Sequence, residues 1–189
     1  MQRGEHRGKI LAVATELFYR NGIHATGIDT IIAQADIARM TLYKHFPSKE
    51  SLIEAVLRNH ALDTRQHLES ITKQTDKTPE ERLWLLFERL NRAVQTPEFF
   101  GCPFINATAE YSDATHPFHR IAVEYKQMFR DYIFQIVEQL NVADPPALTA
   151  QLFLLIEGTL VTAQVDAQQR TSKEALAAAH ILVDFHRRK

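Results

Sequence analysis

Residues 39–49 read Arg-Met-Thr-Leu-Tyr-Lys-His-Phe-Pro-Ser-Lys, with cations, hydroxyls, a phenol and an imidazole set among single apolar residues. On a short helix of about Arg39–His45, Leu42 and the following Phe46 turn inward. Arg39, Thr41, Tyr43, Lys44 and His45 are then left facing outward. A helix showing those groups can enter a DNA major groove, where Arg and Lys pair with guanine edges. The same pattern also describes a solvated surface helix in a bundle. Residue types alone leave both readings open.

Other reactive residues are few. The one cysteine, Cys102, sits in Phe99-Phe100-Gly101-Cys102-Pro103-Phe104. With Pro103 as the first helical residue, Cys102 is at an N-cap, a position that favours the reactive thiolate. Its Phe neighbours fit a small buried core residue equally well. His116 and His119, on either side of Pro117, lack Cys or carboxylate partners at metal-ligand spacing, so capping or surface roles are expected and no metal. No GxSxG, HExxH, GxGxxG or phosphate-loop pattern occurs. Neither catalysis nor a bound cofactor is expected.

The elements that must position residues 39–49 are helical. Ile10, Leu11, Ala14, Leu17 and Phe18 mark a first helix that stops at Asn21-Gly22. Ile28, Ile31, Ile32 and Ala35 mark a second, with Thr26 as its N-cap; His24, just before, reads as solvated loop. The tight Ala35-Asp36-Ile37-Ala38 turn leads to the third, which predicts a helix-turn-helix over about 27–46. Ile31, Ile32, Ile37, Leu42 and Phe46 would bury themselves between that pair and the first helix. Ser48 caps a long fourth helix. Thr78-Pro79-Glu80-Glu81 is a capping box for a fifth that Thr96-Pro97 ends. Gly101-Cys102-Pro103 opens a sixth, Phe118 to Leu140 marks a seventh, Asp144-Pro145-Pro146 opens an eighth, and Thr171-x-x-Glu174 caps the last. No segment alternates with period two. The expected fold is all-α with about nine helices: a helix-turn-helix domain at 1–50 and a helical bundle at 51–189.

The last two helices are apolar on too many sides for a surface helix. From Leu152 to Val165 only Glu157, Thr159, Thr162 and Gln164 are polar. The final helix carries one stripe at Ala178, Ile181, Leu182 and Phe185 and a second at Leu176, Ala179 and Val183. A homodimer interface is the expected use of the surplus face.

Composition narrows the class further. The 189 residues are 45% hydrophobic and 24% charged, and only 6 Gly and 7 Pro exclude low-complexity and turn-rich all-β chains. No uninterrupted apolar run approaches the roughly 18 residues of a membrane span. The N-terminus has no signal-peptide core, and a single cysteine cannot form an intrachain disulfide. A cytoplasmic protein without membrane partners is expected. Net charge is −1, against indiscriminate nucleic-acid binding, but residues 1–52 carry seven Lys/Arg against five acids while the rest carry 15 against 18.

Two tracts, AxELFYRNGIHATGIDTIIAQADI and TLYKHFPSKESL, resemble the N-terminal DNA-binding domain of TetR-type (TetR/AcrR-like) transcriptional regulators. The resemblance covers about a quarter of the chain; the remainder has that family's size and helix count. It implies a C-terminal ligand-binding and dimerisation domain, and a homodimer through the last two helices on a palindromic double-stranded operator. It further implies that Arg39, Thr41 and Lys44 read or approach bases, while Tyr43, His45 and Lys49 bind phosphates. Thr26 would offer its hydroxyl and helix N-terminus to another phosphate. The family's turn usually carries Gly then Ser, where this chain has Asp36 and Ala38, and Met40 stands where Gly is common. Those departures bear on operator sequence.

The resemblance also implies an effector site. Its expected lining is His60, Trp84, Phe87, Phe100, Cys102, Phe104, Asn106, Glu110, Tyr125, Phe129 and Glu157, aromatic walls with a few polar groups that suit an apolar or aromatic small molecule. The expected function is a ligand-responsive dimeric repressor. The alternatives are a helical small-molecule-binding protein, or a redox or electrophile sensor acting through Cys102.

Overall fold

Apolar residues at positions 10, 14, 17 and 18 give the first helix one buried edge, and the same logic recurs along the chain. The computed structural model describes residues 3–166 and 172–187; the cap expected of Thr171 lies outside the described residues. Among the described residues are nine helices: α1 (Arg3–Asn21), α2 (Ile28–Ala35), α3 (Arg39–His45), α4 (Lys49–Thr72), α5 (Pro79–Gln95), α6 (Pro103–Glu110), α7 (Pro117–Val137), α8 (Pro145–Val165) and α9 (Lys173–Arg187). They group into two compact units, Met1–Leu62 with Pro103–Ala122, and Asp63–Cys102 with Val123–Lys189. Packing therefore places α6 and the start of α7 with the N-terminal helices, a grouping that a division of the chain at residue 50 does not contain.

In the first unit α1 packs against α2 and α3, burying Ile10, Ala14, Leu17 and Phe18. Gly22 ends α1 at φ +90, a left-handed backbone that favours glycine. Asp36 makes the turn between α2 and α3 at φ 49, ψ 58, donating its N–H to the Ala33 carbonyl at 3.2 Å. A short polar side chain tolerates that conformation, so the turn forms without glycine. Ala38 sits at the α3 N-cap with no side-chain bond, a loss of about 1 kcal/mol relative to Ser or Asp. Ile31, Leu42 and Phe46 are buried, whereas Ile32 and Ile37 are only half-buried. The Arg7 guanidinium lies 5.4 Å above the Phe46 ring and joins α1 to the end of α3.

One cap differs from expectation. The N-cap of α2 is Gly27, not Thr26. Thr26 is 2% exposed, and its hydroxyl is directed at the Gly22 carbonyl at 2.7 Å, with the Leu17 carbonyl at 3.2 Å. The hydroxyl is therefore turned back toward the end of α1 and the glycine that follows it, not toward the first turn of α2.

The second unit is built on α5, α8 and α9, which pack on one another around Leu83, Phe87, Leu148, Leu152, Ala179 and Val183. The α5 capping box forms as read: Glu81 N–H donates to Thr78 Oγ1 at 3.2 Å and Thr78 N–H to Glu81 Oε2 at 2.7 Å. Asp144 caps α8 through the Ala147 N–H at 3.0 Å. Buried Arg82 donates to the Thr72 carbonyl at 2.9 Å and to Gln139 Oε1 at 2.8 Å, capping the end of α4 with a cation. The two stripes of α9 separate in part: Ala179 and Val183 face the core with Leu182 packed against it, while Ile181 and Phe185 are exposed. On α8, Leu148, Leu152 and Ile156 are buried and Leu154, Val161 and Val165 exposed.

Candidate functional site

The outer face of α3 is built by one buried residue. Leu42 is fully buried, which anchors the helix and forces its neighbours outward: Met40 is 79% exposed, Tyr43 and Lys44 are exposed, and Thr41 is half-buried beside them. Met40, Thr41, Tyr43 and Lys44 line one shallow surface depression. Arg39 is exposed and its guanidinium pairs with the Asp29 carboxylate of α2. Sequence reading missed that partner, since ten residues separate the pair and only the helix-turn-helix bend brings them together. His45 is half-buried at the end of α3. Lys49 is half-buried as the first residue of α4, behind a reciprocal Ser48–Ser51 pair in which each backbone N–H donates to the other's hydroxyl at 3.1 Å. Thr26 is buried, and its hydroxyl is directed inward at the Gly22 and Leu17 carbonyls.

Behind this face, α6 ties itself to the loop between α1 and α2. Glu110 accepts the Ile23 N–H at 2.8 Å and the His24 N–H at 2.6 Å, and its Oε2 lies 3.1 Å from His24 Nδ1. Tyr111 stacks on the His24 ring with centroids 4.7 Å apart. His24 is thus a bound loop residue, and Glu110, expected in an effector lining, is a clamp with both oxygens engaged. Gly22 matters here too, because a Cβ would meet Glu110 Oε1 at 3.3 Å. His116 accepts the Phe118 N–H at 3.4 Å at the start of α7, and His119 Nε2 lies 2.6 Å from the Tyr111 carbonyl. These are the capping roles expected of them.

A cavity of about 210 Å³ lies within the first unit. Its walls are Phe18 from the end of α1, Ile23 from the loop that follows, Val56 and Leu57 from α4, and Pro103 from α6. Of the eleven effector residues read from sequence, His60 and Asn106 line it. Phe104, fully buried, is a core side chain whose ring meets His60 edge-on at 5.7 Å.

The remaining candidates belong to the second unit. Phe87 is fully buried core, and Trp84 lies against the His180 ring at 3.8 Å. Phe129 stands between Tyr125 and Phe153, 6.4 Å from each. Phe100 is half-buried. Burial pushes the Tyr125 phenol well above its usual range. Glu157 forms an ion pair with Lys126, whose ammonium donates at 2.6 and 2.7 Å and also lies 3.5 Å from Cys102 Sγ. Lys126 carried no sequence signal, because residues 102, 126 and 157 meet only in the packed bundle. Cys102 itself is buried, as its Phe neighbours allowed. Among the described residues no three His, Cys, Asp or Glu side chains gather as a metal site.

A buried Leu42 beneath a solvent-facing row of cation, hydroxyl and phenol, carried on the second helix of a tight helical turn, defines a helix-turn-helix DNA-binding unit. Comparison with known proteins agrees along most of the chain. The family described as "Bacterial regulatory proteins, tetR family" matches residues 10–56, and "Tetracyclin repressor-like, C-terminal domain" matches residues 79–179. The HTH-type transcriptional regulator YjdC of Escherichia coli is 26% identical over 181 residues, 96% of this chain and 95% of that protein. The HTH-type transcriptional activator FasR of Mycolicibacterium smegmatis is 43% identical over 60 residues, 32% of this chain and 27% of that protein. The crystal structure of a TetR-family transcriptional regulator from Streptomyces coelicolor superposes with a TM-score of 0.91 at 29% identity, covering 97% of both chains. The chain belongs to the TetR family of DNA-binding transcriptional regulators.

Proposed function

We propose that this regulator is a homodimeric repressor of the cytoplasm that leaves a palindromic operator when a small apolar or aromatic effector binds. The observation that carries the DNA half is the outward row on α3. Arg39, Thr41 and Lys44 approach base edges, while Tyr43, His45 and Lys49 hold phosphates. One helix of seven residues makes few contacts, so two copies on half-sites about 34–36 Å apart supply the affinity. The exposed apolar residues of α8 and α9 support the dimer. Leu154, Val161, Val165, Ile181 and Phe185 form a surplus that a monomer would leave in water. Selection of duplexes from a random-sequence pool, followed by salt-dependent binding to the selected palindrome, tests the reading. Recovery of no palindrome by a folded protein would refute it.

A second reading is favoured by one observation, the Lys126 ammonium 3.5 Å from Cys102 Sγ. A cation beside a sulfur supports reaction with electrophiles or oxidants, and a modified Cys102 would be the trigger in place of a reversible ligand. The burial of Cys102 and the neutralisation of Lys126 by Glu157 weigh against it, so reversible binding is the leading reading.

A further inference from the structure

The cavity in the first unit is the part of the molecule with the most unassigned chemistry. It lies among α1, α4 and α6, in the compact unit that also holds α2 and α3. Its wall is almost wholly hydrocarbon, from Phe18, Ile23, Val56 and Leu57. The polar groups are few: the Thr15 hydroxyl, already donating to the Leu11 carbonyl at 2.8 Å, the Tyr19 phenol, the His60 imidazole and the Asn106 carboxamide.

Size limits the occupant. An apolar cavity of about 150 Å³ stays dry and takes benzene. At about 210 Å³ this one has room for a substituted benzene or a small fused bicycle, not for a long-chain or multi-ring compound. Apolar walls with a polar edge select a ring carrying one group that can hydrogen-bond.

The connection to DNA runs through α6. Asn106 lines the cavity, and Glu110, one turn further along the same helix face, accepts the backbone N–H groups of Ile23 and His24. Ile23 itself lines the cavity. Thr26, bonded back to the Gly22 and Leu17 carbonyls, joins that loop to the start of α2. Any molecule that parts α6 from the end of α1 therefore strains the clamp on which the placement of α2 and α3 depends.

We propose that this cavity is an effector site for a small aromatic ring bearing one hydroxyl or amine, and that occupancy weakens DNA binding through the Glu110 clamp. The inference rests on the reading of the protein as a ligand-responsive repressor. Occupancy can act only to the extent that the ring binds one arrangement of α1 and α6 better than the other. Couplings of this kind change affinity by about 5- to 150-fold.

The test uses the full-length protein, a palindrome selected from random duplexes, and 4-fluorophenol as probe with fluorobenzene as its apolar control. Binding to the palindrome is measured first without probe; failure there overturns the repressor reading and says nothing of the cavity. Fluorine NMR should then show saturable binding of 4-fluorophenol, tighter than that of fluorobenzene. The methyl resonances of Ile23, Val56 and Leu57 should shift, and operator affinity should fall within the range above. Val56→Phe, which fills the space, should abolish both effects while leaving the palindrome bound. Should that variant fail to fold, the methyl shifts of the parent protein decide. Probe binding that leaves those methyls unmoved, or moves them without changing operator affinity, overturns the proposal.

Discussion

The carboxylate of Glu110 accepts the His24 backbone N–H at 2.6 Å across 86 residues of sequence. With the Ile23 N–H held by the other oxygen, one side chain closes two loop donors that would otherwise face a missing partner. Glu110→Ala should cost about 1–3 kcal/mol, toward the lower end because only the Ile23 donor is part-buried and the His24 donor is exposed. Amide exchange should accelerate at Ile23 and His24 while Leu83 and Leu148 in the second unit keep their protection. Unchanged exchange at both loop amides would show that the clamp does not hold the loop.

Arg39 and Lys49 should fail differently. Lys49→Ala removes a phosphate contact, so it should weaken all duplexes alike and lower the salt slope by about one unit. Arg39→Ala should change which sequence is selected. Asp29→Ala, which frees the Arg39 guanidinium from its carboxylate, should raise affinity for random duplex more than for the selected site. If Arg39→Ala binds the same palindrome as tightly as the parent, α3 is not the reading helix.

The dimer face is tested by charge. Ile181 is 68% exposed and Leu154 66% in the single chain, so Glu at either should leave the fold intact. If the face is covered by a second copy, each substitution buries an unpaired carboxylate at a cost of several kcal/mol. Sedimentation should show the Ile181→Glu and Leu154→Glu chains as monomers. Leu160 makes a poorer test site, because it packs against the core and its replacement would also disturb folding.

Glu69 predicts a pH dependence. Hydrogen bonds from Lys73, Arg65 and Tyr132 hold its carboxyl down from 4.5 to about 2. A carboxyl depressed in the folded protein contributes stability that is complete above its unfolded value and is lost as pH falls through the folded one. The contribution is therefore present above about pH 4.5 and fades toward pH 2. Melting temperatures of Glu69→Gln and parent, measured across that window, should converge at the acid end.

Cys102→Ser separates the two triggers. Under the leading reading it leaves the response to a reversible ring compound intact; under the second it removes the response to electrophiles. Gly101→Ala, by contrast, should destabilise the protein by about 1–3 kcal/mol, since a side chain is forced into φ +92. Its Cβ would also collide with Gln164 Oε1 as that side chain now stands. A melting curve identical to the parent's would show that both the backbone and Gln164 adjust freely.

Local chemistry was legible in the sequence wherever a few consecutive residues settle the outcome. The Thr78 capping box, the Asn21-Gly22 stop, the Asp144-Pro-Pro start and the Asp36 turn all formed as read, because each is decided by bonds within about four residues. The outward row on α3 was legible for the same reason: the period of a helix sends Leu42 one way and Arg39, Tyr43 and Lys44 another. Even the two faces of α9 could be separated, Ala179 and Val183 from Ile181 and Phe185.

Contacts between distant segments were settled only by tertiary structure. Thr26 looked like a cap, but its hydroxyl turns back to the Gly22 and Leu17 carbonyls. Glu110 and Glu157 were read only as polar groups beside aromatic walls; that one holds the α1–α2 loop and the other pairs with Lys126 shows only in the packed chain. Nothing in the spacing of residues 29 and 39, or 102, 126 and 157, announces that they meet. The aromatic residues read as one pocket divide between the two compact units, and the cavity in the first is walled chiefly by α1 and α4 residues, among them Phe18 from the apolar stripe of the first helix. Periodicity tells which side of a helix is apolar; whether that side closes on a neighbour or leaves room for a ligand depends on how the helices pack.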